Sequence, residues 1–85
     1  MRREDRVPYA QAVWASFQSK AGTGRDMASS EFMVVSRWMD RSIPLPVVLR
    51  GIHEFDGTPR RLEACEAGVR RAEAYYAKAM GLTQW

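Results

Sequence analysis

Between Leu62 and Ala79 the apolar residues Leu62, Cys65, Val69, Ala72, Tyr76 and Ala79 recur at steps of three and four without a break. Only an α-helix brings residues so spaced onto one line, and so regular a line is the seam of a helix packed lengthwise against others. A helix is therefore expected from about Pro59 to Met80, the longest in the chain, with Thr58–Pro59 as cap and first-turn proline and Gly81 as its end. Glu66 and Arg70 lie one turn apart in the orientation that supports a helix. Gly68, inside the segment, costs about 1 kcal/mol relative to alanine; it either admits the close approach of another helix or is simply tolerated. Eighty-five residues make one domain with one core, so the partners of this seam have to come from the rest of the chain.

Three further helical patterns precede it. Pro8 opens the first, which runs to about Lys20 with Tyr9, Val13 and Phe17 on one face and Trp14 beside them; residues 1–7 read as a flexible basic arm. Ala21 to Ser30, "AGTGRDMASS", has no periodicity and reads as a loop in which Gly22 or Gly24 closes the first helix. Its Gly22-Thr23-Gly24 lacks both a preceding strand and the Gly-Lys-Ser/Thr ending of a phosphate-binding loop. Ser29 or Ser30 caps a second helix, about Glu31 to Arg41, with Glu31 in the first turn, where the helix dipole favours negative charge. Phe32, Val35, Trp38 and Met39 form its apolar stripe, flanked by Arg37 and Arg41. Ser42-Ile43 ahead of Pro44 forces a turn. Pro44 and Pro46 fit only in a first turn, so a third helix begins near Pro44 and runs to about Phe55, where Asp56-Gly57 breaks it. No strand pattern longer than "VVL" occurs. The expected fold is all-α: a compact bundle of four helices with a helix-turn-helix-like corner between the second and third and a long C-terminal helix.

That corner has the rhythm of a DNA-reading motif, but its residue types argue for packing. In a major groove, Pro44, Leu45, Pro46, Leu49 and Arg50 would face the bases, and of these only Arg50 can hydrogen-bond a base edge. Trp38 would also stand where the two helices touch and a small residue is normal. Read as core, Leu45, Val48, Leu49 and Ile52 make one stripe that meets Phe32, Val35 and Trp38 across the turn. A tryptophan in one helix, a short turn and then "PLPVVLRGI" resembles the small helical modules of DnaD-type replication proteins, over about Phe32 to Phe55. The resemblance implies a helical domain that binds DNA without strong sequence preference through its surface and C-terminal helix, or that contacts replication proteins. The chain departs from that family in lacking the tyrosine-rich motif that follows the helical core.

Charge is the other lead. The formal net charge is +3, and of 13 basic residues only Lys20 and Lys78 are lysine. Arginine suits bidentate phosphate contacts, although the codon usage of a GC-rich genome gives the same bias. The candidate nucleic-acid contacts are Arg37, Arg41 and Arg50 around the corner and Arg60, Arg61, Arg70 and Arg71 on the last helix, with Arg2, Arg3 and Arg6 in the arm. The competing class is a protein adaptor or anti-regulator docking through aromatic residues off the main stripes, namely Trp14, Tyr75 and Trp85. The long seam of the last helix, with Trp85, also offers a surface for a homodimer. An enzyme is not expected: His53 has no second histidine a turn away, Cys65 sits on the apolar seam, and the carboxylates Asp26, Asp40, Asp56, Glu63 and Glu73 are scattered. One cysteine and one histidine make neither a disulfide nor a structural zinc site, and no cofactor is implied. With no apolar run long enough for a membrane span, a cytoplasmic protein is expected, in keeping with replication or regulation in a bacterium or mobile element.

Overall fold

The computed structural model describes residues 2–81, whose regular structure is all-helical, with four α-helices and one 3₁₀ turn. The elements are α1 (Arg3–Ala21), α2 (Ser29–Asp40), α3 (Leu45–His53), the 3₁₀ turn Leu62–Cys65, and α4 (Glu66–Ala79). The closest packing is of α3 on α4, followed by α1 on α3 and α1 on α2. At 41 × 32 × 17 Å the molecule is a slab, thin enough that helices roughly 10–12 Å across keep an outer face in water.

The segment expected as a flexible arm is helical from Arg3, and α1, at 19 residues, is the longest helix. Two things extend it past Pro8. Glu4 and Asp5 place negative charge in the first turn, and Arg6 is held by α2, donating to Asp40 Oδ1 at 3.2 Å and to Ser36 Oγ at 3.3 Å. Pro8 consequently lies inside the helix rather than at its start. At the other end Gly22, at φ 67°, closes the helix, its amide and that of Thr23 both donating to the Gln18 carbonyl.

Between α2 and α3 the chain turns through Ser42, which stands in the left-handed region at φ 55°. The Ile43 amide donates to the Trp38 carbonyl and the Ser42 amide to that of Met39. This is a Schellman ending, in which the residue after the left-handed one packs back onto the helix; Ile43 and Trp38 are both buried. Tyr9 locks the corner from α1 by donating its hydroxyl to the Ile43 carbonyl at 2.8 Å, and burial pushes that hydroxyl up to about 12. The corner is core, as its residue types require.

Several stripes are rotated from expectation. On α2 the inward residues are Glu31, Val34, Val35, Trp38 and Met39, while Phe32 is 50% exposed. On α3 they are Val47, Val48, Gly51 and Ile52, with Leu45 and Leu49 half-buried. A glycine contact sets that rotation. A Cβ on Gly51 would fall 2.5 Å from Val69 Cα, and one on Gly68 would fall 2.7 Å from the Gly51 carbonyl oxygen. The backbones of α3 and α4 thus touch, and Gly68 is there because another helix approaches.

The last helix is shorter than its seam suggests. Pro59 is buried in the connection rather than opening a helix, Arg61 is extended, and the chain passes through the 3₁₀ turn before α4 starts at Glu66. Leu62, Cys65, Val69 and Ala72 are buried, but Tyr76 and Ala79 are exposed where α4 runs on past α3. The expected Glu66–Arg70 pair is replaced by a link across helices from Arg37 to Glu66 at 3.1 Å.

Gly51→Ala should lower stability by about 2 kcal/mol, since overpacking against backbone outweighs the roughly 1 kcal/mol gained in helix propensity. Ser42→Gly should raise it by up to about 1 kcal/mol by relieving the left-handed conformation. Urea denaturation of both variants checks the pair of signs; an unaltered midpoint for Gly51→Ala would refute the backbone contact.

Candidate nucleic-acid interface

The site is organised by a carboxylate inside the protein. Glu31 has no solvent exposure, yet its two oxygens accept four hydrogen bonds. Arg25 donates to Oε1 at 2.6 Å and to Oε2 at 2.7 Å, the Ala28 amide to Oε1 at 2.9 Å, and the Leu62 amide to Oε2 at 2.9 Å. The Ala28 contact is the backward-reaching half of a capping box, made although Ala28 itself has no side-chain acceptor to complete it. These bonds, the Arg25 pair foremost, hold the carboxyl at about 2, well below its ordinary value of 4.5, against the opposing effect of burial. Arg25 in turn donates to the Arg60 carbonyl at 3.1 Å and lies 5.2 Å from the Trp14 ring centre. The connection before α4 is therefore fastened at Arg60 and Leu62 to a single ion pair.

This fastening sets where the last arginines stand. Arg60 and Arg61 are exposed and share one cleft with Arg25, while Arg70 and Arg71 are exposed on the outer face of α4. None of these four makes an ion pair among the described residues. Arg3, exposed at the start of α1, makes none either, whereas the remaining candidates do. Arg37 pairs with Glu66, Arg41 with Glu73 at 2.8 Å, and Arg50 with Glu54 at 3.3 Å. Arg37 and Arg41 are thus struts from α2 to α4. Arg2, Arg6 and Arg25 are likewise paired, with Glu4, Asp40 and Glu31. Glu63 adds negative charge near Arg25 and keeps one carboxylate oxygen buried without a hydrogen-bond partner.

The aromatic candidates divide. Trp14 is half-buried, stacked on Phe17 with ring centres 5.0 Å apart and 22° between planes. Tyr75 is 62% exposed, with the Arg50 guanidinium 4.9 Å from its ring centre. Trp85 lies outside the described residues. A second apolar surface runs between α1 and α2, where Val7 and Phe32 are open beside Ala10 and Gln11; Met33, next to Phe32 in sequence, is also exposed. Of the α4 seam offered for a second copy of the chain, Leu62, Cys65, Val69 and Ala72 are covered within the fold, while Tyr76 and Ala79 stay exposed.

The candidates for chemistry lie apart. Cys65 is fully buried and its thiol is pushed up to about 11 by that burial, so it is protonated at neutral pH. His53 is exposed at the end of α3, its carbonyl accepting from Lys20 Nζ at 3.0 Å. Among the described residues no three His, Cys, Asp or Glu side chains are gathered to hold a metal ion, and no helix is long and apolar enough to cross a membrane. The chain matches no protein-family model, and no curated protein or solved structure shows significant similarity to it.

Nothing in the sequence marks Arg25 and Glu31 as a pair, although Glu31 falls on the line of Val35 and Trp38, the one charged residue in an apolar stripe. Because the folded carboxyl titrates below the unfolded one, its contribution is complete above pH 4.5 and disappears as the pH falls toward 2. Glu31→Gln should therefore destabilise the protein by about 3 kcal/mol at pH 7, as expected when one partner of a buried pair is removed. The difference between variant and wild type should shrink as pH is lowered from 4.5. Equal differences at about pH 7 and about pH 3 in parallel denaturation curves would contradict the assignment.

Proposed function

We propose that this is a non-enzymatic helical protein that binds nucleic acid through phosphate contacts with little sequence preference, in replication or regulation. The observation that carries this reading is the sorting of the arginines. Those around the α2–α3 corner are matched to carboxylates of the same chain, whereas Arg60, Arg61, Arg70 and Arg71, all within one stretch of twelve residues, are exposed without such partners among the described residues. A phosphate approaching Arg37 or Arg41 has to displace a carboxylate already in place; one approaching Arg70 or Arg71 does not. The contact surface is accordingly assigned to the α4 side, with the corner as its support. The likeness of Phe32–Phe55 to DnaD-type modules agrees with such a role.

A protein-adaptor role is the second reading, favoured by one observation: Val7 and Phe32 leave an apolar strip open between α1 and α2, and contiguous apolar surface of this kind is typical of protein docking sites. Trp14, partly buried with Phe17 stacked on its ring and the Arg25 guanidinium over it, borders that strip rather than leading it.

Replacing Arg70 and Arg71 together by glutamine should weaken binding to duplex DNA alike for every sequence. It should reduce the slope of log affinity against log salt by roughly 0.9 for each phosphate that is no longer neutralised. The pair Arg37→Gln with Arg41→Gln should leave that slope nearly unchanged while lowering stability slightly, since exposed ion pairs contribute about 0–1 kcal/mol each. Anisotropy titrations at several salt concentrations read both, and a slope reduced by the corner pair but kept without Arg70 and Arg71 would reverse the assignment.

A further inference from the structure

Where α4 runs on past α3, a groove opens between Pro44, Pro46 and Val47 on one side and Tyr75, Tyr76 and Ala79 on the other. Both tyrosines reach solvent, Tyr75 by 62% and Tyr76 by 36%. The Arg50 guanidinium lies over the Tyr75 ring, 4.9 Å from its centre, and the residue still keeps most of its surface in solvent. Arg71 and Lys78, four residues before and three after Tyr75, share its stripe on α4 and are exposed. A largely exposed aromatic ring therefore has one cation over it and two more flanking it on its own helix. Among the described residues, the only carboxylate tied to them is Glu54, whose pair with Arg50 at 3.3 Å spans one turn at the end of α3. That pair is longer, with a more exposed carboxylate, than the cross-helix pairs of Arg37 and Arg41, so a phosphate replaces it more easily than it replaces Glu66 or Glu73.

We propose that this groove takes single-stranded nucleic acid, with an unpaired base stacked on the exposed ring of Tyr75 and the flanking phosphates on Arg50, Arg71 and Lys78. The inference rests on the nucleic-acid role proposed above and narrows it to one kind of strand. A base within a duplex has both faces covered by its neighbours, so an aromatic ring in a groove gains nothing from it; an unpaired base offers a whole face, whatever its identity. Aromatic platforms with cations along the backbone path are the recurrent means of holding single strands without reading sequence. The apolar strip on α1 and α2 lacks this charge: Gln11 and Gln18 border it, and Arg6 is already bound to Asp40 and Ser36. Glutamate and aspartate are likewise missing from the lining of the α3–α4 groove, which argues against a basic peptide as its occupant.

The test is a fluorescence-anisotropy comparison of an oligothymidylate of about a dozen nucleotides, within the usual site size, with a duplex of the same length at low salt. Wild type, Tyr75→Ala and Tyr75→Phe are measured, each checked for an unchanged helical circular-dichroism spectrum. The expected result is tighter binding of the single strand by wild type, about tenfold weaker binding by Tyr75→Ala, as removal of one stacking platform implies, and near-normal binding by Tyr75→Phe. Equal affinity for both strands with no effect of Tyr75→Ala would overturn the inference while leaving the phosphate-contact role standing. Failure to bind either strand would overturn both. Capture of a proline-rich peptide, or a dimer mass in light scattering that Tyr75→Ala abolishes, would assign the groove to another occupant and overturn it as well.

Discussion

The carboxylate of Glu31 is the point on which the rest of the structure depends. A buried charge is tolerated only when it is paired and its lone pairs are filled, and Glu31 meets that condition with two bonds from Arg25 and one each from the amides of Ala28 and Leu62. Those donors come from the loop after α1, from the start of α2 and from the start of the 3₁₀ turn. One side chain therefore ties the neighbouring loop and helix entry at Arg25 and Ala28 to the start of the 3₁₀ turn, 31 residues beyond Glu31 along the chain, where the backbone is irregular and has no ladder of its own. Arg25 extends the arrangement to the Arg60 carbonyl and to the face of Trp14. Withdrawing Glu31 would leave a guanidinium and two amides without their acceptor, which is why the pair is better understood as the fastening of the fold than as a surface ion pair.

From that fastening the second half of the molecule follows. With the chain held at Arg60 and Leu62, α4 sets out from the 3₁₀ turn and crosses α3 where Gly51 and Gly68 let the backbones touch. The crossing turns Val47, Val48 and Ile52 into the core and leaves the far end of α4 beyond the reach of α3. The ion pairs Arg37–Glu66 and Arg41–Glu73 then brace α2 against α4 from outside. Besides Arg3 at the start of α1, the arginines left unmatched among the described residues lie on the connection and on α4, and the proposed nucleic-acid role draws on that group.

Much of this is legible in the sequence. The steps of three and four from Leu62 to Ala72, the forced turn before Pro44 and the burial of Trp38 rest on short-range rules that the structure obeys. The differences have identifiable causes. Phe32 reads as inward because it is large and apolar, but Glu31 takes the inward position through partners up to 31 residues away, and such a network leaves no periodic trace. Gly51 reads as an ordinary helix residue, because its role depends on a backbone contact with a helix further along the chain. Periodicity carries the α4 seam through Tyr76 and Ala79, yet burial requires a partner helix long enough to cover them, and α3 has nine residues. The arginines are visible as a composition bias; which of them have carboxylate partners is not, since Arg37–Glu66 and Arg41–Glu73 span 29 and 32 residues.

If the arginines left unmatched by the fold, on the side fastened through Glu31, form the contact surface for nucleic acid, a ¹H–¹⁵N spectrum locates that surface residue by residue. The labelled protein, backbone and arginine side chains together, is titrated with a short oligonucleotide. Shifts should concentrate at Arg60, Arg61, Arg70 and Arg71, while Arg37 and Arg41 keep their free-state positions. Shifts centred on Val7, Phe32 and Met33, or on Arg37 and Arg41 with the α4 arginines unmoved, would contradict the assignment.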